Sequence, residues 1–314
     1  MPTWFPDAPG IEWDEYFDIT CDDFVVISDI EIPDHDPAML QAALLTAMRK
    51  NIKTLIIAGD LLATDNAALN SWVDTWAVGN QINYEGAIGI AVDILARFLH
   101  WFDDIYVIQG NHDDRIDRKT GGEVWFGMLL HHARIHAERI LADSDRKHAQ
   151  VHFSRYSYMY ARTRRGPIYI CHQHNYSKTP VKLAQDIYGV INGPDFDVRD
   201  LNAVSQKCHI LVTHTHIIQS GFSPDAAREV YGIGCCRDPL KTKYKQTSAT
   251  KFPEWNQGFL YAKGGYFYNL PRRSTNWLEL LGELSPQAEI KTNWRTPAPA
   301  RSGAGQAASR PPGS

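Results

Sequence analysis

The sequence contains no CxxC pair, and its five cysteines, Cys21, Cys171, Cys208, Cys235 and Cys236, are odd in number and irregular in spacing. That pattern excludes a disulfide framework and points to reduced thiols in a cytoplasmic protein. No apolar run approaches the length, about 20 residues, that spans a bilayer. Met1-Pro2-Thr3-Trp4-Phe5-Pro6-Asp7 lacks both a basic segment and an apolar core, so it does not read as a signal peptide. Positive charge is not in excess either. The formal net charge is −4, which removes any general attraction to nucleic acid or anionic membrane, a local basic patch aside. What remains is an ordinary globular composition, 44% hydrophobic and 22% charged over 314 residues, enough for one large α/β domain or two small ones.

Residues 1–22 are rich in Pro, aromatic and acidic residues and show no period, so they read as an N-terminal arm packed on a domain covering 23–295. Residues 296–314 are dominated by Pro, Ala, Gly, Ser and Arg, a composition that buries no core and reads as a disordered tail. Within the domain, Phe24-Val25-Val26-Ile27, Thr54-Leu55-Ile56-Ile57 and Ile105-Tyr106-Val107-Ile108 read as buried strands. Asp36 followed by Pro37 marks a helix start, and Leu40, Ala43, Leu44, Ala47 and Met48 give that helix an apolar face. Ile88, Val92, Leu95, Leu99 and Phe102 mark a second helix. Strand, helix, strand, helix, strand implies parallel pairing through right-handed crossovers. Residues 61–83 form a long connection in which Trp72 and Trp76, four apart, read as a short helix or lid or as a packed surface helix.

After Thr120-Gly121-Gly122 a helical stretch carries Trp125, Met128, Leu129 and Ile135. His132 and His136 on it have i, i+4 spacing but lack the acidic partner of an HExxH site, so with His131 they read as surface or core histidines. The second half turns toward β. Val151 to Ala161 alternates like a hairpin, Pro167–Cys171 and Ile210–Val212 read as strands, and short strands follow around 230–233, 259–262 and 266–268.

The residues that follow these apolar runs carry the chemistry. They are Asp29 and Glu31, Asp60, Asn111 and His112, His172, then His214 and His216. Gly110-Asn111-His112-Asp113 puts an amide, an imidazole and a carboxylate together where a strand ends and a turn begins, and in α/β sheets that end of a strand is where ligand sites collect. Hard oxygen donors mixed with imidazoles suit Mn²⁺, Fe or Zn²⁺. The donors are too many for one ion and about right for two, with Asp60, preceded by Gly59, as the shared carboxylate. The absence of cysteine from the set argues against structural zinc. Two such ions hold a phosphate, activate a bridging water and stabilise in-line displacement. His112, backed by Asp113, is placed to protonate the leaving alkoxide, and Arg115 and Arg118 to neutralise phosphate oxygens. A single strand-end histidine is usually structural, and Asp29 or Asp60 alone reads as a helix cap; their joint placement is what chance does not readily produce. His35 and His174 are placed either near the site or in structural positions, while His152 and His209 share the pattern less cleanly.

At this point the chain resembles the calcineurin-like metallophosphoesterases. That family's order of motifs, D-x-H, GD, GN-H-D/E, a lone H and GHTH, reads here as Asp29-Ile30-Glu31, Gly59-Asp60, Gly110-Asn111-His112-Asp113, His172 and Thr213-His214-Thr215-His216. Ser28–Pro37, Cys171–Pro180 and Gly234–Phe259 look like the subgroup common in bacteriophage and prophage genomes. The resemblance implies an α/β fold, an αββα sandwich of two mixed sheets flanked by helices, with a dinuclear metal site at the carboxyl ends of strands. It implies Asp29, Asp60 and His216 on a first metal, Asp60, Asn111, His172 and His214 on a second, and His112 as general acid. It implies hydrolysis of phosphomono- or diesters by attack of a metal-bridging water. The chain departs at Glu31, where the family has histidine, and at Thr213, where it has glycine. A carboxylate still ligates a hard ion, and favours Mn²⁺ or Mg²⁺ among the set that also includes Fe, Zn²⁺ and Ni²⁺.

Three readings stay open: a phosphoesterase acting on small phosphoesters, a nuclease, and a weakly active metal-binding scaffold impaired through Glu31. Lys241, Lys243, Lys245 and Lys251, with Arg155, Arg162, Arg164 and Arg165 interleaved by Tyr156, Tyr158 and Tyr160, follow a nucleic-acid backbone or are solvated surface charge. The expected partner is a phosphoester, with nucleotide or nucleic acid as a narrower option and no membrane.

Overall fold

The computed structural model describes residues 16–63, 84–120, 124–140, 149–173, 179, 181–192, 207–238 and 256–272. Strand β1 is Phe17–Thr20, β2 Phe24–Ile27, β3 Thr54–Ala58, β4 Asp104–Ile108, β5 Gln150–Ser154, β6 Tyr158–Thr163, β7 Gly166–Cys171, β8 His209–Val212, β9 Gln219–Phe222, β10 Glu229–Gly232, β11 Gly258–Lys263 and β12 Tyr266–Pro271. Helix α1 is Pro37–Lys50, α2 Tyr84–Trp101, α3 Asn111–Thr120, α4 Val124–Ile140 and α5 Lys182–Ile191. They form two mixed six-stranded sheets, ordered β12-β11-β2-β3-β4-β5 and β1-β6-β7-β8-β10-β9.

In the first sheet β2, β3 and β4 run parallel, with Val26 opposite Ile56 and Ile56 opposite Tyr106, as the strand–helix alternation predicts, and β5 adds a further parallel strand beside β4. Both faces of β2, β3 and β4 are covered, which is why their sequences are near-continuous apolar runs. Val25, Ile27, Leu55 and Ile57 pack outward against Leu40, Leu95, Leu99 and Leu129 of the helices. Phe24, Val26, Ile56 and Ile108 pack inward on Met159, Ile168, Ile170 and Leu211 of the second sheet. On the far face of that sheet, Tyr169, Ile210 and Val212 meet Leu183, Ala184 and Tyr188 of α5. The layers are therefore helix, sheet, sheet, helix.

Asp36 caps α1 by accepting from Ala38 N at 2.9 Å, with Pro37 in the first turn, and Asn51 closes the helix in the left-handed region. The buried face is Met39, Leu40, Ala42, Ala43, Thr46 and Ala47, so Leu44 and Met48 lie at its margin and not at its centre. On α4, Met128 is 56% exposed and does not share the buried stripe of Trp125 and Leu129, while His131 and His132 face outward and His136 is half-buried beside Asp93.

Three expectations change. Residues 151–161 are not a hairpin: β5 joins the first sheet beside β4, while β6 joins the second, between β1 and β7. Phe153 stacks on Phe126 of α4 at 4.4 Å, whereas Met159 and Ala161 fill the space between the sheets, so the alternation serves two different cores. The turn expected at Gly110-Asn111 is the start of α3. Part of the N-terminal arm, Phe17–Thr20, is an edge strand parallel to β6. Residues 1–15 of that arm, residues 64–83 with Trp72 and Trp76, His174, the four lysines between 241 and 251, and the 296–314 tail lie outside the described residues.

Candidate metal centre

Five strands deliver the expected donors to one end of the two sheets. Asp29 follows β2, Asp60 follows β3, Asn111 follows β4, His172 follows β7, and His214 and His216 follow β8. The backbone cost of this arrangement is visible. Among the described residues, eight non-glycine positions have positive φ, and Asp29, Glu31, Asp60, His214 and His216 are five of them. Left-handed backbone costs a side-chain-bearing residue about 1–2 kcal/mol, and such strain persists where the surroundings over-determine it, most often at functional sites.

The donors fall into overlapping groups whose ligand atoms lie within 4.8 Å of one another: Asp29, Asp60, His172 and His214; Asp29, Glu31 and His216; and Glu31, Asp60 and His112. Asn111 joins the first group, its Oδ1 lying 3.1 Å from His172 Nε2, which is also 3.2 Å from Asp60 Oδ2. In the second, His216 Nε2 is 3.1 Å from Asp29 Oδ1 and 3.3 Å from Glu31 Oε1. Asp29, Glu31 and Asp60 each belong to two groups, so the sharing expected of Asp60 extends to Asp29 and Glu31.

Several contacts fix these side chains. His172 Nδ1 lies 2.9 Å from the Ala58 carbonyl and 3.0 Å from Thr213 Oγ1, which itself donates to Ala58 O at 3.0 Å. Anchoring one imidazole nitrogen on a carbonyl aims the other at the site. Thr213 thus does more than stand in for a glycine. Asp113 accepts from the backbone N–H groups of Asp60 at 2.8 Å, Gly110 at 3.0 Å and Leu61 at 3.2 Å. Its carboxylate clamps the Asp60 turn, a use different from the backing of His112 that the sequence implied. His112 donates its backbone N–H to Asp60 Oδ1 at 2.8 Å from the first turn of α3, where the helix end favours negative charge. Arg115 is half-buried one turn beyond Asn111 on α3, whereas Arg118 pairs with Asp114 on the surface. His35 forms an isolated bridge with Arg237, while His152 stacks on Tyr106 at 4.6 Å and His209 is a buried core residue.

Arg237 is the residue that sequence reasoning missed. It is 1% exposed, donates from one guanidinium nitrogen to Glu31 Oε2, and from the other to Asp34 Oδ2 at 2.6 Å. Glu31 and Arg237 are 206 positions apart, and no local pattern marks the pair.

Burial pushes the Asp60 carboxyl up, but His172 and His112 outweigh it and hold it well below the usual range; Asp29 is lowered in the same way by His216 and His172. Burial pushes the His172 imidazolium down, and the charges of Asp60 and Asp29 overcome this to raise it to about 9. Burial opposes a proton on His216 too, but Cys235 and Asp29 raise it well above the ordinary value. His214 goes the other way: burial and the His172 charge press it down to about 4. Burial and the Asp60 charge push Asp113 up to about 6.

A divalent cation fits this donor set. Asp29, Glu31 and Asp60 supply hard oxygens, and the histidines supply borderline nitrogens. His214 keeps a neutral ring, and its buried Nδ1 has no hydrogen-bond partner among the described residues.

The basic strip weighed for nucleic acid is partly neutralised. Arg162 pairs with Asp18 at 2.5 Å, Arg164 pairs with Asp22 at 2.8 Å, and Arg165 lies 4.4 Å over the Tyr266 ring. Tyr156, Tyr158 and Tyr160 pack with Tyr16 in an aromatic cluster. No described helix is long and apolar enough to cross a membrane.

No protein-family model matches the chain, and no curated protein matches it. Among solved structures it is similar to YfcE, a phosphoesterase from E. coli, at 15% identity and a TM-score of 0.39, covering 76% of this chain and 87% of that one. It is also similar to a Zn²⁺ complex of Vps29 from Entamoeba histolytica, at 13% identity and a TM-score of 0.36, covering 79% of this chain and 92% of the other. A predicted phosphoesterase from Streptococcus pneumoniae is similar at 9% identity and a TM-score of 0.28, covering 80% of this chain and 98% of its own.

Proposed function

We propose that this chain is a metal-dependent phosphoesterase of the calcineurin-like type, hydrolysing phosphomono- or diesters. The observation that carries the reading is the convergence of Asp29, Asp60, Asn111, His172, His214 and His216 from five strand ends into overlapping groups of ligand distance. Two divalent ions, Mn²⁺ ahead of Fe, Zn²⁺, Mg²⁺ or Ni²⁺, supply when bound the Lewis acidity that grips a phosphate and activates the attacking water. The protein's own part is the rest. Asp29, Glu31 and His216 hold one ion, and Asp60, Asn111, His172 and His214 the other, with Asp60 and Asp29 positioned to be shared. His112, half-buried beside Glu31 and Asp60, gives a proton to the leaving alkoxide. Asp113 holds the Asp60 turn against α3, and Arg115 neutralises phosphate oxygens. The bacteriophage and prophage likeness of the 28–37 segment is part of the same reading.

The test is turnover of an aryl phosphate monoester and diester by protein reloaded with Mn²⁺. Asp60→Asn and His112→Ala are expected to lower kcat by at least about 100-fold, the scale of general acid catalysis. Activity of either variant equal to the parent refutes the assignment. One observation favours a second reading, a metal-binding scaffold of little turnover: Glu31 is held in an ion pair by Arg237. Full Mn²⁺ loading without turnover on any phosphoester decides for it.

A further inference from the structure

Arg237 has no part in the catalytic roles above, yet it is among the largest fully buried side chains and is ion-paired with Glu31 of the candidate metal centre. The segment that carries it is stitched to the Asp29 loop. Cys236 N donates to Ser28 O at 3.0 Å, Asp36 N to Cys236 O at 2.8 Å, and Asp238 N to Asp34 O at 2.8 Å. Gln257 Nε2 holds the Arg237 carbonyl at 2.9 Å. The guanidinium is thereby fixed between two carboxylates, the buried Glu31 and the Asp34 side chain, which is 21% exposed.

Glu31 is consequently divided. Its Oε1 faces His216 Nε2 at 3.3 Å, while its Oε2 is held by Arg237. A carboxylate with both oxygens free contributes a full negative charge and can bind a cation through both. One that is half-engaged by a guanidinium in a low-dielectric interior contributes a single donor oxygen and much less field. Among the described residues no arginine or lysine is ion-paired with Asp60, whose partners are the histidines His172 and His112 and the local backbone. The two corners of the site therefore differ electrostatically by a charge fixed in the protein.

We propose that Arg237 is a positioning residue: by holding Glu31 Oε2 in a buried ion pair, it makes Glu31 a one-oxygen donor and sets cation affinity at the Asp29–Glu31–His216 corner below that at the Asp60–Asn111–His172–His214 corner. The inference rests on the metal-site reading above and adds what sets the order of filling. Asp34 modulates it from outside, since it draws part of the guanidinium's charge away from Glu31.

The test is Mn²⁺ titration of chelator-stripped full-length protein, followed by calorimetry and by the EPR signal of free Mn²⁺. The parent is expected to show two classes of site separated at least about tenfold in affinity, the scale of one partly compensated charge. Arg237→Met frees Glu31 and is expected to tighten the weaker class about tenfold or more while leaving the tighter class unchanged. Asp34→Asn, a change at a partly exposed position, acts in the opposite direction by concentrating the guanidinium on Glu31, and is expected to weaken the weaker class about threefold. Asp34→Asn also keeps the proposal testable if Arg237→Met fails to fold. A purely structural Arg237 lowers Tm and leaves the separation of the classes unchanged in folded variants, which overturns the proposal. One class of site in the parent, or equal shifts of both classes in Arg237→Met, overturns it too. Absence of any Mn²⁺ binding to the parent removes the metal-site reading itself, a result distinct from binding that ignores Arg237.

Discussion

At the scale of single residues, the site is organised by partners that are not themselves ligand candidates. Thr213 and the Ala58 carbonyl fix one nitrogen of His172, and Asp113 fixes three backbone N–H groups around Asp60. The His172 imidazolium, raised to about 9 by Asp60 and Asp29 against the pull of burial, has a direct consequence. A cation that takes its Nε2 displaces that proton, so affinity is complete only above the raised pKa and declines as pH falls below it. Mn²⁺ affinity is expected to rise about tenfold per pH unit between pH 6 and 8, with proton release seen as a dependence of calorimetric heat on buffer ionisation enthalpy. Affinity that stays level over that range contradicts the placement of His172 at the metal.

At the scale of elements, the site depends on loops approaching one another at strand ends. Asp29 N donates to Gly59 O at 3.1 Å and Glu31 N to Asp60 O at 3.0 Å, so the loops after β2 and β3 run side by side. Two glycines permit the approach. A Cβ on Gly59, which has φ +86, would lie 2.6 Å from His172 Cγ, and one on Gly110 would collide with Asp60 N and Oδ1. Gly110→Ala is expected to displace the Asp60 turn, destabilise the fold by about 1–3 kcal/mol and reduce Mn²⁺ binding. Gly127 on the outer face of α4 is the control, because nothing lies within 4 Å of its added methyl. Gly127→Ala is expected to be neutral or to stabilise by up to about 1 kcal/mol. Urea unfolding midpoints check both, and equal effects at the two glycines contradict the close-approach account.

The elements also differ in how plainly the sequence announced them. Phe24–Ile27, Thr54–Ile57 and Ile105–Ile108 stood out because strands buried on both faces are apolar throughout. β1, β9 and α5 did not. Phe17–Thr20 and Gln219–Phe222 are short edge strands of mixed exposure, and α5 follows residues with no capping side chain. The apparent hairpin at 151–161 failed because period-two alternation describes a strand without naming its sheet.

At the scale of the molecule, the helix–sheet–sheet–helix stack brings the carboxyl ends of strands from two sheets to a common edge. The same stack buries polar groups far from the site. His209 on β8 accepts from Glu229 N at 3.2 Å through Nδ1, and its Nε2 is buried without a partner among the described residues. Burial, joined by the Arg228 charge and opposed by Glu229, lowers its pKa to about 4. A histidine lowered in the folded state is bound by a proton more readily in the unfolded chain. Its contribution is therefore intact above the ordinary value, about 6.5, and is lost as pH falls toward 4, by at most about 3 kcal/mol. His209→Phe is expected to flatten the fall in urea midpoint between pH 6.5 and 4.5 relative to the parent. Identical slopes in parent and variant would dismiss His209 as a source of acid sensitivity.

The sequence by itself determined the order of strands and helices in the first half and the donor residues that follow the strands. Those features are local: hydrophobic period, a capping Asp36-Pro37 and short polar motifs after apolar runs are each written within a few neighbouring residues. Only the tertiary structure decided that β5 and β6 part company, that Asp113 spends its carboxylate on backbone, and that Arg237 reaches Glu31. These depend on packing between segments as much as 206 residues apart, where burial and charge compensation select a partner that no sequence spacing encodes.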